Sequence, residues 1–368
     1  MTDLEQLSPS WQAQFQAWQQ RKVPATAEIA PGLWSVPVPI PRHPLRYVLS
    51  YVFVGAGRAA VVDPGWPTEE SWRALCAGLT KAGVGPERID GVLLTHGHHD
   101  HRGLAGRLRR ASGAWIGVHP EEVRFLQDDP VGNADFARRR EDWMRQAGAS
   151  EDAVTEVAHS SHGLPKMPAP VTADRMVTDG EVIEVPGGRH VVALWTPGHS
   201  PGHLCFHLPE EDWLISGDHI LPRISPNISA FVNQPTSALT DFLQALDRVE
   251  RLPVKRVLPG HEFAFDRVDL RLGQLHEHHR QRLGEVKQVL EPKGRCSAWE
   301  VAAQLSWARP WGQIHGFQKR AALGETLSHL HHLEATGELI SRLRSGVRTW
   351  QLSPEPAMVS RAERSGRV

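Results

Sequence analysis

The sequence predicts a mixed α/β (α+β) fold, two sheets with helices outside them, followed by a smaller second domain. Three observations carry this: short β-type runs separated by glycine and proline from about residue 33 onward, amphipathic helix-like stretches between them, and a change after residue 290 to a helix, helix, hairpin order. A chain of 368 residues is long enough for two such domains.

Residues 1–28 read as a helical arm. Trp11, Phe15 and Trp18 recur at spacings of four and three, which puts them on one helical face suited to a surface groove. Strand patterns follow at residues 33–38, 47–54, 59–62 and 91–95, with a helix over 68–82 that Gly83 and Gly85 end. After a strand at 114–118, the charged segment 121–162 reads as an inserted helical subdomain, with bounds near 121–165. Strands resume at 181–185, 190–195, 204–208, 213–216 and 256–258, with helices over 237–250 and 270–290. The Glu291-Pro292-Lys293-Gly294 break reads as a linker, closing a catalytic domain of residues 29–290. Helices over 297–305 and 321–335, then β-like runs at 339–343 and 347–352 around Ser345-Gly346, have the order of a winged-helix domain over 291–352. Residues 353–368 are expected to be a disordered tail.

Composition narrows the function. Forty-one Lys and Arg against 42 Asp and Glu leave a net charge of −1, and 40% of residues are hydrophobic. These values disfavour intrinsic disorder and a generally nucleic-acid-coating protein. No apolar run nears the ~18 residues that span a bilayer. The N-terminus lacks the basic-then-apolar order of a secretory signal, and the three cysteines imply no disulfide framework, so a cytoplasmic location is expected. Histidine is the anomaly, with 21 residues, many in tight clusters.

The densest cluster is Thr95-His96-Gly97-His98-His99-Asp100-His101, directly after the apolar run Val92-Leu93-Leu94. A loop leaving a strand end can turn several side chains to one point, and imidazoles two residues apart beside a carboxylate are costly to explain without a cation. A dinuclear site needs further ligands, and three strand-end motifs supply them: Thr196-Pro197-Gly198-His199, Ser216-Gly217-Asp218 and Pro259-Gly260-His261. In each, a small residue lets the backbone come close.

These four motifs, in order from His96 to His261, resemble the HxHxDH, His, Asp, His pattern of the metallo-β-lactamase fold superfamily. The resemblance spans roughly residues 33–265 and implies a four-layered αβ/βα sandwich with metals at one edge of the sheets. It implies that His96, His98 and His199 hold a first ion, that Asp100, His101 and His261 hold a second, and that Asp218 bridges them. His99 falls at the variable position of the motif and is given no ligand role. True β-lactamases of this fold carry Cys or Ser at the place of Asp218, so antibiotic hydrolysis is disfavoured. The aspartate is the pattern of glyoxalase II-like thioesterases, lactonases and nucleases. The best-known acyl-homoserine lactonases use a tyrosine beyond the bridging aspartate, whereas Tyr47 and Tyr51 both precede the first motif. The C-terminal module resembles the branch typified by β-lactamase-like protein 2, an endoribonuclease, and by related fungal acyl-carrier-protein thioesterases.

Two adjacent divalent ions lower the pKa of a shared water from 15.7 to ~7, which makes hydroxide the expected nucleophile, with Asp100 relaying the proton. Zinc suits the His and carboxylate donors best, and iron and manganese also satisfy them. The leading reading is hydrolysis of an ester-like acyl bond, a thioester or lactone, in a small-molecule substrate. The alternatives are a phosphodiesterase or endoribonuclease on the same site and, less favoured, a ligand-sensing winged-helix regulator. Residues 292–352 hold eight basic against four acidic residues, a net of +4 that allows nucleic-acid contact without demanding it. The helix over 321–335 contains no Lys or Arg, so the module is read as a wall for the site or a homodimer interface, with no membrane partner. Asp63 is expected to orient a ligand histidine, while His203 and His219 are expected near the site as structural or substrate-facing groups. Arg138, Arg139 and Arg140 are the candidates for reading an anionic substrate. His276, His278 and His279 read as solvated surface, and His329, His331 and His332 as part of the second main helix of the C-terminal module.

Overall fold

The computed structural model describes residues 11–127, 134–160, 170–230, 232 and 237–354, so the expected tail lies outside the described residues from position 355 on. The helix α1 (Gln12–Gln19) leads into a seven-stranded sheet whose spatial order follows the chain: β1 (Ala27–Ala30), β2 (Leu33–Pro39), β3 (Tyr47–Gly55), β4 (Arg58–Val62), β5 (Ile89–Leu93), β6 (Trp115–Val118) and β7 (Arg175–Met176). Pairing is antiparallel up to β4 and parallel from β4 to β7. Crossovers run through α2 (Glu69–Lys81) and through α3 (His99–Arg102) and α4 (Ala105–Ser112). Thr68 caps α2 by accepting from the Ser71 N–H, with Glu69 and Glu70 in its first turn and Lys81 in its last, as the helix dipole favours.

The β3 sequence YVLSYVFVG shows why the fold is layered. Tyr47, Leu49, Tyr51 and Phe53 face the second sheet, while Val48 and Val52 face Leu75, Leu79 and Leu108 of α2 and α4. Alternate side chains leave opposite faces of a strand, so a near-continuous apolar run marks burial on both. Each such large side chain contributes about 1.5–3 kcal/mol by burial.

The second sheet has the order β12-β11-β10-β9-β8, built from β8 (Val182–Val185), β9 (Arg189–Trp195), β10 (Leu204–Leu208), β11 (Trp213–Gly217) and β12 (Arg256–Pro259). Its outer face is covered by α8 (Ala238–Glu250) and α9 (Val268–Lys293), with Phe242, Leu246, Leu272 and Leu275 packed on Cys205, Leu214 and Val257. The layers are therefore helix, sheet, sheet, helix, as the resemblance implies. The arm helix α1 lies against this sandwich: Phe15 and Trp18 meet Phe263 at 4.8 and 5.2 Å, and Trp11 meets Trp213 at 5.9 Å.

The segment between β6 and β7 carries α5 (Val123–Gln127), α6 (Ala134–Gln146) and α7 (Glu151–Ser160). The C-terminal module follows α9 with β13 (Cys296–Ser297), α10 (Ala298–Ala302), α11 (Gly316–Ala335) and the hairpin β14 (Leu339–Arg344) and β15 (Val347–Leu352), whose strands order as β13-β15-β14. Ser297 and Glu300 form a reciprocal capping box at α10. Met144 of α6, Ala147 just beyond it, and Val154 and Val157 of α7 share one core with Val286, Leu290, Val301, Leu323, Leu330 and Trp350, so the insert's longer helices pack on the C-terminal module.

Three readings need correction. The helix expected over 321–335 starts at Gly316 and so includes Lys319 and Arg320. Lys319 is buried, reaches Glu156 at 3.3 Å and sits over the rings of Trp299 and Trp311. His279, read as solvated, is buried against α11: its Nδ1 lies 3.2 Å from His329 Nε2, and its ring packs on Phe242. Arg138 and Arg139 both pair with Asp135 at 3.2 and 3.0 Å on the exposed face of α6, the arrangement of a solvated helix, while Arg140 is buried.

Candidate metal centre

Four strand ends converge. The β11 and β12 strands are parallel with Gly217 opposite Pro259, so Asp218 and His261 leave the sheet side by side. Strand β9 runs in the same direction two places away and delivers His199, while β5 of the other sheet delivers the loop with His96, His98, Asp100 and His101. The sheets are tied here by Leu204 N–H to Thr95 O at 2.7 Å and Leu49 N–H to Gly260 O at 2.7 Å. A Cβ on Gly260 would lie 2.8 Å from Asp218 Oδ1 and from His101 Cε1, so only glycine admits this approach.

Donor atoms cluster into three groups, each within 4.8 Å: His96, His98 and His199; His96, His101 and Asp218; Asp100, His101 and His261. Asp218 spans them, with Oδ1 at 3.4 Å from both His101 Nε2 and His261 Nε2, and Oδ2 at 3.6 Å from His199 Nε2. Asp100 Oδ2 lies 3.2 Å from His261 Nε2. All seven residues expected as ligands are thus together.

Four of the five candidate ligand imidazoles are aimed by their outer nitrogen. His96 Nδ1 lies 3.0 Å from Thr95 Oγ1, His101 Nδ1 lies 2.8 Å from Asp63 Oδ2, His199 Nδ1 donates to Asn227 O at 3.0 Å and His261 Nδ1 donates to Tyr47 O at 2.8 Å. Asp63, at φ 52°, also accepts the Thr95 N–H at 2.8 Å and hydroxyl at 2.6 Å. Because the Thr95 hydroxyl proton goes to Asp63, its oxygen accepts from His96, which leaves His96 Nε2 as a lone pair; His199 Nε2 is one for the same reason. Both face His98 Nδ1, at 2.9 and 3.0 Å. A single proton on His98 satisfies one of them, whereas a cation satisfies all three nitrogens. His101 Nε2, His261 Nε2 and Asp218 Oδ1 are likewise buried with no hydrogen-bond partner among the described residues. A divalent metal therefore fits this donor set.

The electrostatics agree. Burial, reinforced by neighbouring imidazoles, holds His96 well below the usual histidine range and His98 down to about 3. At His101 and His261 burial is outweighed by Asp218 and Asp100, which raise both. Burial opposes ionisation of Asp218, yet His261 and His101 hold it well below the usual carboxylate range. Positive charge is stabilised where the carboxylates meet, and a metal there would take the place of protons.

His203 Nε2 accepts the Asp218 N–H at 3.2 Å, and its Nδ1 lies 2.9 Å from Thr196 Oγ1, so it fixes the backbone of the aspartate loop. His219 is buried edge-on to Phe242 and is held down to about 3 by burial and by His199. Two residues escaped sequence reasoning. Glu122, fully buried, accepts Gly97 N–H on Oε1 and Gly202 N–H on Oε2, both at 2.8 Å, and so joins the two histidine loops; burial pushes its carboxyl up to about 7 against these bonds. Asn227 acts through its carbonyl, which has no side-chain signature.

The fold and site define a metal-dependent hydrolase class. The sequence profile described as the metallo-beta-lactamase superfamily matches residues 43–261, and the chain belongs to that superfamily. A metallo-beta-lactamase family protein from Thermus thermophilus superposes with a TM-score of 0.73 at 31% identity, covering 88% of this chain and 100% of that one. An atrochrysone carboxyl ACP thioesterase from Aspergillus fumigatus is 25% identical over 66% of this chain, which spans 59% of that protein's length. An acyl-coenzyme A thioesterase from Gallus gallus is 28% identical over 56% of this chain and 69% of its own length. The protein is a hydrolytic enzyme of this fold, and no described helix is long and apolar enough to cross a membrane.

Proposed function

We propose that the protein hydrolyses acyl thioesters with two divalent ions, zinc by donor preference, held by His96, His98 and His199 on one side, by Asp100, His101 and His261 on the other, and by Asp218 between them. The observation that carries this is Asp218, whose two oxygens face different histidine groups. When bound, such ions acidify water and polarise a carbonyl. The chain's residues do the rest. Asp63, Thr95, Asn227 and Tyr47 hold the imidazoles in register. Asp100 is partly exposed at the mouth, with 16% of its side chain accessible, and is the carboxylate placed to pass a proton from water to the departing thiolate. Relatives named as thioesterases support the thioester over other acyl bonds. The tyrosines add to this: Tyr47 and Tyr51 donate their hydroxyls to Glu262 O and Pro259 O at 2.7 and 2.8 Å, leaving neither for a lactonase role.

The test is metal analysis followed by acyl-thioester turnover, read by released thiol, with labelled single-stranded RNA in parallel. About two ions per chain and thiol release that falls at least ~100-fold in Asp218→Ala are expected. One ion or none, or RNA cleavage without thiol release, would overturn the assignment.

A further inference from the structure

Among the described residues, the loop after β11 links the C-terminal module to the metal centre. His199 presents Nε2 to the cluster and donates from Nδ1 to Asn227 O, so the position of that carbonyl sets the tilt of the ring. Asn227 lies in the loop after β11, which packs on the catalytic sandwich through Ile220 and Ile228 and also reaches the C-terminal module. Its Nδ2 donates at 3.5 Å to Ala321 O and to Glu325 Oε2, both on α11. Three residues on, the Ala230 N–H donates to Gly324 O of the same helix at 3.0 Å, and Trp143 Nε1 of α6 donates to Ala230 O at 3.1 Å. Arg271 of α9 pins the start of the loop through Leu221 O and Ile224 O at 2.6 and 2.8 Å. Glu325 is in turn 3.8 Å from Arg282 of α9.

Helix and loop are in close contact. A Cβ built on Gly324 would lie 1.9 Å from Ser229 Oγ and 3.2 Å from Ser229 Cβ, so a side chain there turns the Ser229 hydroxyl away and still presses on the Cβ of the loop. Because Asn227 is two residues from Ser229, a shift there is carried to the carbonyl that His199 uses.

We infer that α11 is a positioning element of the metal centre, setting His199 through Asn227 so that the C-terminal module and the His96, His98, His199 group are coupled. This rests on the dinuclear reading. Outer-shell partners of metal-ligating histidines typically change metal affinity 10- to 100-fold when removed. The coupling predicts that disturbing α11 at Gly324 weakens one ion and leaves the other.

The experiment uses the full chain and measures metal affinity by chelator competition, with the optical spectrum of the cobalt-loaded protein as a second readout. Gly324→Ala should weaken the affinity of one of two ions by about 10-fold or more and alter the cobalt spectrum. Adding Ser229→Gly, which removes the obstructing hydroxymethyl, should restore both. Asn227→Ala, which cuts the side-chain tether and keeps the carbonyl, should give a milder loss of the same ion. Gly284→Ala, with nothing within 4 Å of the new Cβ, is the control. A folded Gly324→Ala protein with wild-type affinities and spectrum would overturn the coupling, as would a loss that Ser229→Gly fails to rescue. A wild-type chain that binds fewer than two ions would instead count against the dinuclear reading, before any variant is compared.

Discussion

Glu122 accepts two backbone N–H groups on two different oxygens, and no other side chain of its length does that. Glutamine offers one oxygen and turns its amide hydrogens toward the remaining N–H, leaving a buried donor unpaired. Above pH 7, where this raised carboxyl is ionised, charged hydrogen bonds of this kind contribute about 1.5–3 kcal/mol, so Glu122→Gln is there expected to lower the stability of metal-stripped protein by about 2 kcal/mol and to weaken metal binding as the Gly97 and Gly202 loops drift. Denaturant unfolding and chelator competition check this, and a variant equal to wild type in both would remove Glu122 from the site. At this scale the grouping of the seven candidate donors was legible, since they fall in four short motifs that each follow an apolar strand run. Glu122 was not: it stands 25 residues from Gly97 and 80 from Gly202, and nothing in its own neighbourhood marks the partners. The carbonyls of Asn227 and Tyr47 that aim His199 and His261 are silent in any sequence pattern.

The contact of α9 with α11 buries histidines that spacing alone places on a wet surface. Strand and helix positions were legible because two-residue alternation and 3.6-residue periodicity survive in the letters, and β3 shows how a doubly buried strand declares itself. Which face of α9 is covered depends on a helix some 50 residues later, so His279 was misassigned. The consequence is a pH dependence. Burial, with the other imidazoles, holds His279 and His329 below the ordinary value of 6.5, so the folded state keeps both neutral while the unfolded chain takes up protons below that pH. Depressed histidines contribute stability that is present above the unfolded pKa and is lost as pH falls. From pH 6.5 to 5 the loss should be about 1.5 kcal/mol for each of the two residues. Unfolding of metal-stripped protein should therefore be about 3 kcal/mol less pH-sensitive over this window in His279→Leu/His329→Met than in wild type; equal slopes would show that the pair does not titrate with unfolding.

Across the whole molecule, the core formed by Met144, Val154 and Val157 of the insert with Leu290, Leu323 and Trp350 decides how the chain unfolds. A winged-helix order suggests a separable module, and the Pro292-containing break suggests a linker, yet α9 runs to Lys293 and contributes Val286 and Leu290 to the module's own core. Glu156 of α7 adds polar closure by accepting from Gly316 N–H at 3.0 Å and pairing with Lys319. Removing the chain after Gly294 would bare the apolar faces of α6, α7 and the end of α9 together, and such faces have no partner but water or another molecule. The full chain is expected to melt in one calorimetric transition with agreeing calorimetric and van't Hoff enthalpies, and the truncated chain to aggregate or lose its metal. Two resolved transitions, or a truncated protein that keeps both ions and its melting temperature, would show instead that the sandwich stands alone and that its neighbour is an appendage.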